Sequence, residues 1–183
     1  MQRTIINPVL KDVTTFIRTA RETNNESTQV EVRLMPGGGT PLHYHRNFSE
    51  TFIAVEGQLG LSTGKGKSIT LGPGDTATIP PGQVHRFFNP GKQKIRFKVV
   101  INPGHTGFEN ALYILYGLAG DGLTDQKGVP KKLEHLAIVG EMSEMYLPGV
   151  FRILQPVFRV IASRARRRGE EDLLIEKYCR LYS

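Results

Sequence analysis

Apolar and polar residues alternate along short runs in the N-terminal half of the chain. In the run 29–34, Val30, Val32 and Leu34 share one face, and polar residues occupy the other. This period of two is typical of β-strands with one buried face. Further runs of this kind are 51–55, 58–62, 68–71, 76–79, 85–88 and 94–101.

Clusters of glycine and proline separate these runs and mark tight turns. They fall at 36–39, 64–66, 72–74, 80–82 and 89–91. Many short strands with turns at regular intervals are typical of an all-β sandwich or barrel. The sequence therefore predicts a closed or double-sheet antiparallel structure.

After residues 102–104 the apolar period changes from two to about 3.6 residues, which indicates helices. We predict helices over 108–118, 131–146, 149–167 and 170–181, with Pro130 in the first turn of the second and a kink at Pro156 in the third. The chain is accordingly mainly β, with a β-domain at 1–105 and an α-helical C-terminal extension at 107–183. The third helix carries one apolar stripe, formed by Val150, Ile153, Leu154, Val157, Phe158 and Ile161.

Three histidines and a glutamate in the β-domain carry the candidate chemistry. His43 and His45 flank Tyr44, so on an extended strand both imidazoles point inward and Tyr44 points outward. Glu50 opens the next strand, and a short hairpin at 46–49 folds its carboxylate back toward the two histidines. His85 follows the 80–82 turn at the head of another strand and offers a fourth ligand.

Two stretches around these residues resemble the paired motifs of the cupin superfamily. The first has Gly37, His43, His45, Glu50 and Gly57 at the family's spacing, and the second has Gly74, Pro80, Gly82, His85 and Asn89. The resemblance covers the β-domain and implies a small single-domain cupin with a jelly-roll β-barrel. It further implies that one divalent metal is held in the mouth of the barrel by His43, His45, Glu50 and His85.

The chemistry of this ligand set agrees with the resemblance. Three imidazoles and one carboxylate suit manganese, iron, cobalt, nickel or zinc, and they leave one or two coordination positions open. The site then carries a net charge of about +1, which attracts an anionic or enolisable substrate with adjacent oxygens.

Two functions fit such a site. One is a single-metal enzyme that acts on a small oxygenated organic molecule by dioxygenation, isomerisation or decarboxylation. The other is a non-catalytic, metal-dependent module that binds or senses a small molecule and passes the signal through the helical extension. Beyond the ligands, the sequence offers no clear general base.

Because alternate residues of a strand share a face, the positions of the ligands also suggest which residues contact the substrate. Phe52 shares the face of Glu50, Phe87 shares the face of His85, and Phe97 lies on an inward face of its strand. These aromatic residues form either a substrate wall or simply the core of the barrel. Arg46, directly after His45, reaches over the mouth or remains a solvated hairpin residue.

Composition indicates the cellular compartment and the partners to be expected. The chain has 183 residues and one cysteine, Cys179, so no internal disulfide forms and a reducing compartment is expected. The first ten residues contain no apolar run like that of a secretory segment, and we expect a cytoplasmic protein. The net charge is +7, but the dense cluster at 164–168 has no nucleic-acid-binding motif nearby, so we expect no nucleic acid partner.

The surface suggests self-association. Outward Phe88 and Val100 leave apolar area to cover, so we expect a homodimer, as in many small cupins. The apolar stripe of the third helix is expected to pack on the barrel or on the partner subunit. A bilayer surface and a separate protein are the alternatives, and the acidic segment 109–144 argues against a membrane.

Overall fold

A computed structural model describes residues 3–64 and 66–179. Within these residues the chain forms nine strands, with a short 3₁₀ helix at Arg21–Thr23 after the second, and then four α-helices, which matches the predicted order of β-rich and helical parts. The strands are β1 Thr4–Asn7, β2 Asp12–Arg18, β3 Thr28–Leu34, β4 Ser49–Glu56, β5 Leu59–Thr63, β6 Lys67–Leu71, β7 Thr76–Ile79, β8 His85–Phe88 and β9 Ile95–Asn102. The helices are α1 Thr106–Gly120, α2 Leu133–Ser143, α3 Val150–Arg167 and α4 Glu170–Tyr178.

The strands form two antiparallel sheets. One has six strands in the order β1-β2-β3-β9-β4-β7, and the other has three in the order β6-β5-β8. Phe52 and Phe97 of the first sheet and Leu59 and Leu61 of the second are buried in one common core. The two sheets form the jelly roll that the resemblance implies, but the predicted barrel is not closed by hydrogen bonds, because the strands pair within two separate sheets.

Strands β1 and β2 were not predicted, and the polar residues on their inward face explain why. In β2 the inward residues are Asp12, Thr14 and Phe16, so the alternation of apolar and polar residues is hidden. Both polar side chains contact α1, where the Tyr116 hydroxyl donates to Asp12 Oδ2 and lies 2.9 Å from the Thr14 hydroxyl. The inward face of β2 is compatible with burial because Tyr116, about 100 positions downstream, forms a hydrogen bond to it.

Helix α1 completes the core between the sheets. Its Tyr113 stacks on Phe16 with ring centroids 4.7 Å apart, and both Tyr113 and Tyr116 belong to the β-domain core. The other side of α1 packs against α2, α3 and α4 in a second apolar cluster that includes Ile114 and Ile138. The extension therefore shares its first helix with the β-domain.

The helix bounds differ in detail from the prediction. Helix α2 is shorter than 131–146. It begins at Leu133, because Lys132 is extended, so Pro130 lies before the helix and not in its first turn as predicted; it ends at Ser143, before Glu144, whose φ of 54° is left-handed. Helix α3 continues through Pro156. The predicted end of the last helix at residue 181 lies outside the described residues. In the part of the chain that the structure describes, no helix combines the length and the apolar character needed to cross a bilayer.

Within one chain the apolar stripe of α3 does not pack on the β-domain, and its packing on a partner subunit stays a prediction. Ile153 is 77% exposed, Val150 64% and Val157 54%. The helix instead turns Ala162 and Ala165 toward its neighbours. Phe88 and Val100, by contrast, are half-buried within the fold, and the homodimer stays a prediction.

The buried carboxyl of Asp12 predicts a pH dependence of stability. Burial raises its pKa from 3.8 to about 6 in spite of the hydrogen bond from Tyr116. The folded protein therefore binds this proton more tightly than the unfolded chain, and the stability that the neutral group contributes is lost as pH rises from about 4 through 6. Asp12→Asn keeps an acceptor for Tyr116 and removes the charge. We expect it to gain stability relative to wild type over this interval, by an amount of the order of 3 kcal/mol.

Urea denaturation of both proteins at several pH values measures this difference. The variant Asp172→Asn, at an exposed position on α4, is the control and should follow wild type. A constant difference between Asp12→Asn and wild type from pH 4 to 7 would contradict the interpretation.

Candidate metal centre

The four predicted ligands come from three neighbouring segments. His43 and His85 form a two-way backbone bridge, in which each amide donates to the other's carbonyl at 2.9 and 2.8 Å. His45 is fixed through its carbonyl, which accepts from the Gly82 amide at 2.6 Å. Residues 43–45 are extended as predicted but make single bridges instead of joining a sheet. Glu50 lies within β4, paired with Ile79 of β7 and Ile101 of β9.

The structure brings these four side chains together. His43, His45, Glu50 and His85 are all buried, and one ligand atom from each lies within 4.8 Å of the others. The Nε2 atom of His85 lies 2.7 Å from Glu50 Oε2, and that of His45 lies 3.4 Å from the same oxygen. The group is suited to hold one metal ion.

Backbone carbonyls set the orientation of two of the imidazoles. His43 Nδ1 donates to the carbonyl of Pro41 at 2.8 Å, and His85 Nδ1 donates to that of Gln83 at 2.9 Å. Because a carbonyl can only accept, Nδ1 carries the proton in both rings and Nε2 is the atom available for coordination. Metal-binding histidines are commonly fixed in this way by a hydrogen bond from the other ring nitrogen.

His45 provides a second test of fit. Both of its ring nitrogens are buried, and neither has a hydrogen-bond partner among the described residues. An unpartnered buried nitrogen costs free energy unless something satisfies it. A metal ion among the four side chains would satisfy Nε2, so the residues present fit a metal.

The electrostatics of the group hold His43 neutral and Glu50 ionised, and these are the protonation states that bind metals. Burial, together with the nearby His85 and His45, lowers the pKa of His43 to about 3, so this ring is neutral at pH 7. Burial disfavours the Glu50 carboxylate, yet the imidazoles of His45 and His85 hold its pKa below the ordinary value. Burial also opposes protonation of His85, but its contact with Glu50 raises its pKa. Glu50 is thus ionised, as a metal ligand must be.

Comparison with known proteins identifies the β-domain. The family model for the cupin domain matches residues 30–102, a range that contains all four candidate ligands. This part of the chain is a cupin domain.

The alignments with relatives of this cupin domain cover only part of each relative's length. A germin-like protein from Morus alba is 36% identical over 88 residues, which are 46% of this chain and 42% of that protein. Germin-like protein 3-7 from Oryza sativa subsp. japonica is 34% identical over 90 residues, 47% of this chain and 39% of that protein. The chain thus spans about two fifths of the length of these relatives.

Solved structures are also similar to the cupin domain. An uncharacterized conserved protein with a double-stranded beta-helix domain from Klebsiella pneumoniae has a TM-score of 0.45 and 28% identity, over 51% of this chain and 77% of that one. The polyketide cyclase RemF from Streptomyces resistomycificus has a TM-score of 0.45 and 27% identity, over 50% of this chain and 64% of that one.

A cluster of aromatic residues lies beside the four candidate ligands in the cupin domain. Phe52 and Phe97 are fully buried, and the ring centroid of Phe87 lies 5.9 Å from that of Phe52 and 5.2 Å from that of Phe97. Phe52 is 6.2 Å from His85 by the same measure. The three phenylalanines therefore form one core cluster beside the site, and their role as a substrate wall stays a prediction.

Two further aromatic residues at the site were missed from the sequence. Phe48 stacks on His45 with ring centroids 4.4 Å apart, and Phe108 of α1 lies edge-on to His45 at 6.3 Å. Phe48 is in the hairpin between two ligands, and its position there was a usable signal. Phe108 comes from the helical extension, and counting alternate residues along the strands gives no information about a helix.

Arg46 points to the extension. Its guanidinium lies 4.4 Å from the centre of the Tyr146 ring and donates to Gln155 of α3. Its role toward a substrate stays a prediction. Tyr44 and Tyr146 exchange backbone hydrogen bonds of 2.9 and 3.0 Å, and the Glu144 carboxylate accepts from the Asn47 side chain at 2.6 Å and its amide at 3.1 Å. We call residues 144–146, with these contacts, the strap.

The strap predicts a measurable effect on metal retention. Glu144→Ala removes both acceptors for Asn47 and loosens the segment that carries His45. Because loss of groups that orient metal ligands typically costs about 10- to 100-fold in affinity, we expect metal dissociation to accelerate by a factor in that range. Stopped-flow transfer of the metal to a chelator measures the rate. Glu134→Ala, which breaks the exposed ion pair with Arg168, is the matched control and should not change it.

Proposed function

We propose that this protein is a single-metal cupin enzyme that acts on a small oxygenated organic molecule. The observation that carries the proposal is the buried group of three imidazoles and one carboxylate, with the Nδ1 protons of His43 and His85 fixed on backbone carbonyls. A site held this firmly before any ligand arrives is the preorganisation that catalysis requires. Iron, manganese, nickel, cobalt and zinc all suit the ligand set.

The residues around the group define its chemistry. When bound, the metal would supply Lewis acidity and open positions for a substrate with adjacent oxygens. Glu50 provides the only negative charge among the four ligands, so a divalent ion leaves the site cationic and favours an anionic or enolisable substrate. Phe48, Phe52 and Phe108 surround the histidines and limit access of water, which strengthens electrostatic interactions within the site.

A sensing module is the second candidate, and the strap favours it. The segment 44–47, which includes His45 and lies just before Glu50, is bound by residues of the extension at Glu144, Tyr146 and Gln155. A small molecule that displaced His45 or its neighbours would disturb these contacts. The alternative function is therefore metal-dependent binding whose signal leaves through α3.

An activity screen separates the two functions. The protein is loaded with iron, manganese, nickel, cobalt or zinc in turn and mixed with diketones, thiols, phenols and 2-oxo acids. Oxygen uptake reports dioxygenation, carbon dioxide release reports decarboxylation, and proton NMR reports isomerisation. Turnover that is absent in Glu50→Ala supports the enzyme. Ligand binding that shifts the fluorescence of the strap tyrosine without any turnover supports the sensor and overturns the enzyme.

A further inference from the structure

Helix α3 exposes large apolar side chains and buries small ones. Among its large apolar residues, Ile153 is 77% exposed, Val157 54% and Val160 49%, whereas Ala162 and Ala165 are fully buried. At 100° per residue these exposed side chains and Val150, Leu154 and Ile161 fall on one continuous arc of the helix. Such an arc forgoes hydrophobic free energy unless it meets another apolar surface. We call this arc the apolar face of α3.

The charge of α3 is of one sign. The 18 residues of the helix contain five arginines and no aspartate or glutamate. Arg159 and Arg166 are ion-paired with Glu141 and Glu171. Arg164 and Arg167, however, form no ion pair within the described residues, and both are exposed. On the helix, Arg164 falls within the apolar face and Arg167 at its edge, so both guanidinium groups are positioned to reach anions at the boundary of an apolar phase.

We propose that α3 binds the surface of an anionic lipid bilayer, lying parallel to the membrane with its apolar face in the acyl-chain boundary. An amphipathic helix with an apolar face, arginines around it and low overall hydrophobicity has the pattern of an interfacial helix. Arginines attract the phosphate and carboxylate groups of anionic lipids, and the apolar residues gain the burial that the fold does not give them.

A second copy of this chain fits the face less well. In a symmetric dimer the same patch meets itself. A dimer through the apolar face would then bring Arg164 and Arg167 of both helices against each other, and these four arginines have no ion-pair partner within the described residues. Like charges at an interface are destabilising, whereas an anionic bilayer neutralises them.

The acidic segment between 109 and 144 does not oppose this binding. Its carboxylates lie outside α3, on α1, α2 and the loops around them. Glu109 is buried against Ala20 and Thr28. Glu134 and Glu141 are paired with Arg168 and Arg159. The repulsion expected from the sequence is therefore largely cancelled by internal contacts.

Vesicle flotation tests the proposal on the full-length, metal-loaded protein. We expect it to float with vesicles of equal parts phosphatidylcholine and phosphatidylserine but not with pure phosphatidylcholine, and to be released by high salt. Arg164→Gln with Arg167→Gln should weaken binding about 25-fold, at about fivefold for each arginine. Ile153→Ser with Val157→Ser should reduce it by about tenfold or more, because both side chains contribute apolar burial.

Matched variants keep the test specific. Lys92→Gln with Lys98→Gln removes the same charge from exposed positions of the cupin domain, and Ile69→Ser removes an apolar side chain that is 50% exposed on β6. Both should float like wild type, and all variants should keep the wild-type unfolding temperature and metal content. Failure of wild type to float, or equal loss in the controls, would overturn the proposal. A dimer that Ile153→Ser with Val157→Ser dissociates, without vesicle binding by wild type, would assign the face to a second copy instead.

Discussion

Replacing His45 with alanine is expected to lower the affinity for a divalent transition metal by at least about 100-fold, more than is usual for loss of an orienting group alone. The reason is that His45 Nε2 faces the group with no other partner, 3.4 Å from Glu50 Oε2. Loss of His45 removes one of four ligands, and the three that remain are too few to keep water off the metal ion. Wild-type protein purified without chelator should contain close to one equivalent of metal by elemental analysis, and the variant should contain almost none.

The matched control is His135→Ala. This histidine lies on α2 near Glu170 and contributes no atom to the metal-binding group. The control should keep its metal, and both variants are compared by thermal unfolding, so that a general loss of structure is recognised. Full metal content in a folded His45→Ala protein would show that the ion is held elsewhere.

Ending the chain after Gly104 is expected to make the β-domain insoluble or to remove its cooperative unfolding. The truncation deletes Tyr113 and Tyr116, which fill the core beside Phe16, and exposes the polar inward face of β2. Each buried aromatic contributes several kcal/mol, about 3 to 5 when it is truncated to alanine, and a whole domain is stable by only about 5 to 15 kcal/mol. Loss of α1 alone therefore removes much of the available stability.

A second truncation, which removes fewer residues, separates the contribution of α1 to stability from that of the rest of the extension. A chain that ends after Leu147 keeps α1, α2 and the strap but loses α3 and α4. We expect it to remain folded with a lower unfolding temperature, because Leu174 and Tyr178 of α4 pack against the second cluster only. If the chain that ends after Gly104 unfolded cooperatively near the wild-type temperature, the β-domain would be independent of the extension.

The cupin domain was predictable to different degrees along its length. Alternation located β3 and β9, because their inward residues, such as Val30 and Phe97, are apolar, and short β-type runs between turn signals located β4 to β8. It missed β2, whose inward Asp12 and Thr14 are acceptable only next to Tyr116. The grouping of the four candidate ligands was predicted from their spacing, since backbone period and short turns fix where side chains of neighbouring strands meet.

The helical extension was less predictable because its partners are distant in sequence. Periodicity identified the apolar stripe of α3, but an amphipathic pattern does not say which face meets the protein. Here the alanines Ala162 and Ala165 allow close approach to neighbouring helices, and the larger residues point outward. The contacts between segment 44–47 and the extension join residues 97 to 109 positions apart, such as Asn47 with Glu144 and Arg46 with Gln155. No local signal in the sequence marks these pairs.

The most direct test of the metal centre is anomalous diffraction from a crystal of the protein purified without chelator, collected on both sides of the absorption edge of the bound metal. We predict one strong anomalous peak among His43, His45, Glu50 and His85, at about 2.0 to 2.3 Å from three Nε2 atoms and a carboxylate oxygen. An occupied metal peak at another position, with no density among these four side chains, would contradict the assignment.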